Sequence, residues 1–350
     1  MMIHRRFRSR LAIAVTAMLA GSLSMRATGQ SVPGFIVETY ATPPSPNLLA
    51  FGADGVLYAG RDDDPSGSIT ATFVSRITSD GEWSGIGQVP ILDPDALVVD
   101  TTGAVSGIAN SVLVGGLVTD LGPGRVTSIH PDGTVVTLFE APAYGNISEL
   151  KIDSSGRLLF VSFNMNMAFA SESGATPTPL FATGSGPVYL TLAPDGRIVT
   201  STASGTVRIN AADGTLIDPA FAQFSGRASI EFAAGGGLGS DLLALERASG
   251  VLYRVSASGV ATPIGSGMVG ADDLAVGECG TLYVSLRLAN NVLQIRRLPS
   301  PDLDGDGQVG PADLSQLLAA WGQCSGSCCP ADLNEDGFVN SADLAALLAE

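Results

Sequence analysis

The chain is poor in charge, in aromatic residues and above all in lysine. Asp, Glu, Lys and Arg make up only 15% of its 350 residues and aromatics 6%, and Lys151 is the sole lysine. Cations are too few, against a formal net charge of −16, to neutralise a phosphate backbone, so nucleic acid is excluded as a partner. Histidine occurs twice, at His4 and His130. A Ser/His/Asp triad would have to use His130, which stands just before a turn in "SIHPDGTV" and reads as an exposed turn residue. No nucleophile elbow is present. "GGGLG" at 235–239 lacks the Lys-Ser/Thr of a phosphate loop and reads as a turn.

Long apolar runs are missing after the first thirty residues. Before that, Arg5, Arg6, Arg8 and Arg10 precede an apolar run from Leu11 to Met25, and Ala27-Thr28-Gly29 offers small residues for cleavage. Charge, length and small-residue exit predict a secretory signal over 1–29. A membrane anchor is the alternative, but the run is short for a span. The expectation is an exported protein, secreted or held at the cell envelope, and not an integral membrane protein. Removal of the signal takes five arginines and shifts the net charge to −21.

Cysteine is scarce too: Cys279, Cys324, Cys328 and Cys329. No histidine accompanies them as a metal ligand, and an exported compartment is oxidising, so disulfides are expected. Cys324 pairs with Cys328 or Cys329; the partner of Cys279 stays open.

What the chain has in abundance is glycine, 43 residues, set at regular intervals. Six segments read strand, Gly turn, strand: 48–60, 96–108, 149–163, 190–202, 230–246 and 273–286. Their turn glycines fall at Gly55, Gly103, Gly156, Gly196, about Gly236 and Gly280, in steps of 48, 53, 40, 40 and 44. Between them lie second hairpins such as "VSRITSDGEW" and "VRINAADGTLI". Two hairpins per unit give four strands, and six units of four strands predict a mainly β fold, a six-bladed β-propeller over 30–298. A β-sandwich or β-helix is the rival. The last unit is one strand short, and the lone strand "GFIVETYA" at 34–41 is expected to complete it.

"ADGVLYAG", "PDGRIVTS" and "ECGTLYVS" give these units a resemblance to the NHL-repeat and gluconolactonase-like six-bladed propellers. Lactonases of that kind hold one divalent metal at inner-strand starts with Glu, Asn and Asp. The residues at such starts here are Glu149, Asp272 and Asp273, and the family's asparagine-rich segment is absent. Glu149 and Asp273 are therefore expected to be solvated strand-entry acids. The triplet Asn146-Ile147-Ser148 fits a glycosylation sequon, and "RDDDPSG" at 61–67 reads as a solvated acidic loop.

After a short linker, 299–301, the remaining charge is concentrated. Nine acids lie in the last fifty residues, with no Lys or Arg after Arg297. "DLDGDGQVGPADL" and "DLNEDGFVNSADL" repeat one pattern thirty residues apart. Asp302, Asp304, Asp306, Gln308 and Asp313 occupy calcium-loop positions 1, 3, 5, 7 and 12, with Gly307 at the turn. Asp332, Asn334, Asp336, Phe338, Asn340 and Asp343 occupy positions 1, 3, 5, 7, 9 and 12 of the second loop. Alternating hard oxygens aimed at one centre predict two Ca²⁺ sites. Each loop leads into an apolar helix, one with Leu314, Leu317, Leu318 and Trp321, the other with Leu344, Leu347 and Leu348.

This duplicated loop-plus-helix over 302–350 resembles type I dockerin modules. The resemblance implies docking to a cohesin-type scaffold or cell-surface protein in a polysaccharide-degrading setting. The family's recognition pairs fall at Pro311-Ala312 and Ser341-Ala342, where Ser341 alone is polar, and the basic residues that usually follow are missing. The expected function is an exported calcium-binding protein docked by its tail, whose propeller binds a ligand such as a glycan, with enzyme activity left open. The alternatives are a carbohydrate-active propeller enzyme, a lactonase or O-glycosyl hydrolase, and a tail that is only a calcium-stabilised cap.

Overall fold

The computed structural model describes residues 29–349 apart from 62–71, 120–121, 236–237 and 325–328. The expected signal up to residue 28, the acidic loop beyond Arg61, and Cys328 lie outside the described residues. Six four-stranded antiparallel sheets form the bulk of the molecule. Their innermost strands, which define blades 1 to 6, are Pro46–Phe51, Asp93–Asp100, Ile147–Ile152, Pro187–Leu192, Ala228–Phe232 and Asp273–Val276. Each inner strand packs against the next right round the ring, and blade 6 meets blade 1. This is the six-bladed propeller.

The periodicity of the sequence builds it. Between the first two strands of blades 1, 3, 4 and 6 the chain reverses over a short turn. Gly196 of "PDGR" takes φ 86°, a left-handed conformation that glycine adopts without a Cβ penalty. Apolar side chains fill the spaces between blades: Leu97, Val112 and Val114 of blade 2 meet Val74 and Val89 of blade 1, and Leu150 and Phe160 of blade 3 meet Ala96 and Leu113 of blade 2. One sheet could not bury both faces alone; the ring does it for all six.

The ring closes as expected. Phe35–Ala41 pairs antiparallel with Asn291–Arg297 and forms the outer strand of blade 6, with buried Val37 opposite buried Ile295. Blade 2 departs from expectation. Its second strand is Ser111–Leu117, not 104–108. The fully buried Asp100 explains the long turn, since its carboxylate accepts the N–H groups of Gly103, Val105 and Ser106 at 2.9, 3.0 and 2.7 Å and holds the loop in place.

After the propeller come two short helices, α1 (Pro311–Ala319) and α2 (Ser341–Leu347), each preceded by its acidic loop. The two units show the same pattern of exposure from Pro311 and from Ser341 onward. Buried Leu317, Ala331, Val339 and Leu347, flanked by Leu303, Leu314, Leu333 and Leu344, make one small core. A disulfide joins Cys324 to Cys329. Arg296 of blade 6 donates to Glu38 of the closing strand at 3.1 Å and also binds Glu335 in the second loop, so this small unit is tied to the ring. Among the described residues no helix is long and apolar enough to cross a membrane.

Candidate functional site

Antiparallel hairpins bring the start of each inner strand and the end of its second strand to the same end of the channel. All six blades contribute side chains to a pocket of about 220 Å³ there. Asn146, Arg227 and Asp272 each stand one residue before an inner strand, and Phe163, Arg247 and Arg287 one residue after a second strand. Asn47, Asp95, Ser148 and Tyr189 complete the polar wall.

Ion pairs and hydrogen bonds brace this wall. Arg247 Nη2 lies 2.8 Å from Asp272 Oδ1, and Arg287 Nε 3.7 Å from Asp272 Oδ2. Tyr189 donates its hydroxyl past blade 5, from blade 4 to the Asp272 carbonyl at the start of blade 6, at 2.6 Å. Burial, with Asp273 nearby, pushes the Tyr189 pKa up, so the group remains a neutral donor. Asn146 Nδ2 donates to Asp95 Oδ2 at 3.0 Å, and Asn47 Nδ2 to the Pro94 carbonyl at 3.0 Å. The carbonyl oxygens of both side chains, Asn47 Oδ1 and Asn146 Oδ1, are buried and accept nothing from the protein. Such acceptors at a pocket wall are complementary to hydroxyl donors of a ligand.

Farther along the channel is a charged cluster. Lys151 Nζ of blade 3 meets Glu231 Oε2 of blade 5 at 2.7 Å, bypassing blade 4, and Thr191 of blade 4 donates to Glu231 Oε1 at 2.6 Å. Asp273 accepts the N–H groups of Leu49 and Leu274, both at 2.8 Å, and the Ser229 hydroxyl at 3.1 Å. Among the described residues Glu149 accepts only its neighbour's N–H, from Leu150 at 3.1 Å. Burial pushes the Glu149 carboxyl well above its usual range, with Lys151 opposing. Burial likewise lifts the Asp273 carboxyl to about 6, against Lys151 and the bonded N–H groups. For Lys151, burial opposes the charge, and Glu231, Glu149 and Asp273 outweigh it, so its pKa rises.

Glu149 and Asp273 are thus not solvated: they are 6% and 7% exposed. Strand starts that would face water in an open sheet face the axis in a closed ring. Nor do Glu149, Asp272 and Asp273 fit a metal centre of the lactonase kind. They do not gather within ligating distance of one another, Asp272 is held by arginines, and Lys151 already supplies the cation among the acids. His130 lies on the outer hairpin of blade 2, half-buried and not exposed, away from the pocket. Asn146 and Ser148 of the sequon face into the pocket, where a glycan could not be attached without unfolding the wall.

In the first terminal loop, carboxylate oxygens of Asp302, Asp304 and Asp306 lie within 4.8 Å of one another. The donor set is all hard oxygen and fits calcium. Backbone N–H groups already point at these carboxylates: Gly305 and Gly307 donate to Asp302, and Gln308 to Asp306. Asp313 stands outside that group. It accepts from Leu303, Asp304 and Gly310 at 2.7, 3.0 and 2.7 Å, and donation by Gly310 and Asp304 lowers its pKa. In the second loop Asp332 accepts from Asp336 and Gly337, and Asn334 Nδ2 donates to Asp336. Phe338 pairs with Gln323, Asn340 caps α2 through Ala342, and Asp343 accepts from Leu333 and Asn340. Cys324, Cys329 and Asp332 also lie close together, but the two sulfurs are bonded to each other and do not serve as thiolate ligands.

No protein-family model matches the chain, and no curated protein matches it. Solved structures do. The PQQ-bound aldose sugar dehydrogenase of Streptomyces coelicolor superposes with a TM-score of 0.58 at 14% identity, over 76% of this chain and 99% of that one. A gluconolactonase of Xanthomonas campestris gives 0.55 at 12%, over 78% and 93%. A catalytically inactive histidine-to-alanine variant of virginiamycin B lyase from Staphylococcus aureus, with quinupristin, gives 0.52 at 12%, over 75% and 99%. Identities this low establish the fold alone.

Proposed function

We propose that the propeller is a carbohydrate-active site of the enzyme type, taking a sugar or sugar lactone into the axial pocket. The carrying observation is the pair of buried, unsatisfied acceptors, Asn47 Oδ1 and Asn146 Oδ1, in a pocket of hexose size. An apolar ligand would leave both unpaired, whereas a polyhydroxylated one satisfies them. Fold relatives named for aldose oxidation and gluconolactone chemistry support this reading over pure docking.

Calorimetric titration of the secreted chain with hexoses and hexonolactones, together with proton release during lactone opening, tests the proposal. Binding in the micromolar to millimolar range, lost in Asn47→Leu, supports it. An Asn47→Leu variant that binds as the parent does would refute it.

The second reading concerns the tail. The grouped carboxylates of Asp302, Asp304 and Asp306 favour calcium, which would supply cross-linking charge neutralisation to the loop. Exposed Pro311-Ala312 and Ser341-Ala342 at the helix starts would then be presented to a cohesin-type or cell-surface partner. Immobilised full-length protein that captures the same envelope protein with and without chelator would count against calcium-dependent docking.

A further inference from the structure

The pocket combines its hydroxyl-binding wall with a positive excess in an otherwise acidic molecule. Three of the twelve arginines after residue 28 stand on it, Arg227, Arg247 and Arg287, against two carboxylates, Asp95 and Asp272. Arg247 and Arg287 both turn to Asp272. The Arg227 side chain forms no hydrogen bond or ion pair with any described residue, although it is half-buried one residue before the inner strand of blade 5. It lies near the Tyr189 hydroxyl, which keeps its proton and points to Asp272. None of its nitrogens is sealed from solvent, and the planar fork of a guanidinium open to the pocket matches a carboxylate.

From this arrangement we infer that the ligand is an acidic sugar, a hexonate or hexuronate whose carboxylate pairs with Arg227 while its hydroxyls donate to Asn47 and Asn146. The inference rests on the proposed carbohydrate site and names its substrate class. One negative charge on the ligand cancels the one excess positive charge of the wall. The ring of Phe163, 37% exposed at the rim, offers an apolar face to the C–H side of a pyranose. A neutral sugar would satisfy the asparagines and leave Arg227 unpaired.

The test is calorimetric titration of the full chain with sodium galacturonate and sodium gluconate, beside galactose and sorbitol, at two salt concentrations. The acids are expected to bind at least ten-fold more tightly than their neutral counterparts, and more weakly as salt rises. Arg227→Gln should erase the preference, bringing the affinity for the acids down to that for their neutral counterparts. Arg227→Lys should restore part of it, and Arg197→Gln, in the first turn of blade 4 at the end of the channel away from the pocket, should change nothing. Acids and neutral sugars binding alike would overturn the inference and leave the carbohydrate site standing. If neither binds, both fall. The comparison of ligands on the parent protein decides the matter even if a variant fails to fold.

Discussion

Lys151 and Glu231 reach each other at 2.7 Å from blades 3 and 5, so their bond links two blades that are not neighbours in the ring. Their side chains keep only 25% and 19% of their exposure. Removing one partner of such a pair strands the other charge among Glu149 and Asp273. Lys151→Met should therefore destabilise the protein by about 3–5 kcal/mol. Adding Glu231→Gln should recover part of the loss. Urea unfolding of the two variants and their combination measures it; strictly additive losses would show that the pair does not act as a unit.

The same cluster sets a pH dependence. Asp273 is lifted from 3.8 to about 6 and Glu149 also lies above its usual range, both chiefly through burial. The native state thus holds protons that the unfolded chain has released. That stabilisation is complete below about pH 4 and is lost as pH rises through the folded values, on the order of 3 kcal/mol for Asp273 alone. Glu149→Gln should match the parent at pH 4 and exceed it by pH 8. A difference between the two that stays flat over this range would contradict the assignment.

Ring closure by the N-terminal strand predicts a large effect from a small deletion. Phe35–Ala41 makes six residue pairings with Asn291–Arg297. At about 1 kcal/mol for each backbone hydrogen bond, its loss should cost several kcal/mol and lower the melting temperature of the propeller. An unchanged melting temperature in the deletion variant would mean that blade 6 closes without it.

For the terminal loops, calcium at a hundred-fold excess over its dissociation constant should stabilise the small unit by about 2.7 kcal/mol. In the full chain this should appear as a calcium-sensitive transition separate from that of the propeller. Asp304→Ala should weaken it and leave the propeller's own transition unmoved. A melting profile identical in calcium and in chelator would rule out calcium as a folding ligand.

Much of the architecture is readable from local chemistry. Gly55, Gly156, Gly196 and Gly280 mark first hairpins because only certain residues tolerate their positive φ, and the strand at 35–41 stands out because nothing nearby can pair with it. The second strand of blade 2 was not legible at 111–117, because a buried carboxylate such as Asp100 that organises a long loop looks like any other turn acid. The pocket was harder still. Asn47, Arg227 and Arg287 share no segment, and each unit supplies only one to three wall residues. Registering the six units by strand ends would have exposed the column that holds Phe163, Arg247 and Arg287. Glu149 and Asp273 were misjudged because the burial of a strand start depends on the ring's being closed, a property of the whole chain.

Strand order in blade 6 has a mechanical consequence. Asn291–Arg297 lies between Leu282–Leu286 and Phe35–Ala41, so the strand that leads to the tail is not an edge. Tension applied through the tail would load hydrogen-bond ladders on both of its sides at once, along their length, with Arg296 bridging Glu38 and Glu335 at the point of entry. Bonds sheared together resist more force than bonds peeled one by one. A protein held to a surface by its last fifty residues and dragged by flow would thus be gripped where its two chain ends are stitched together.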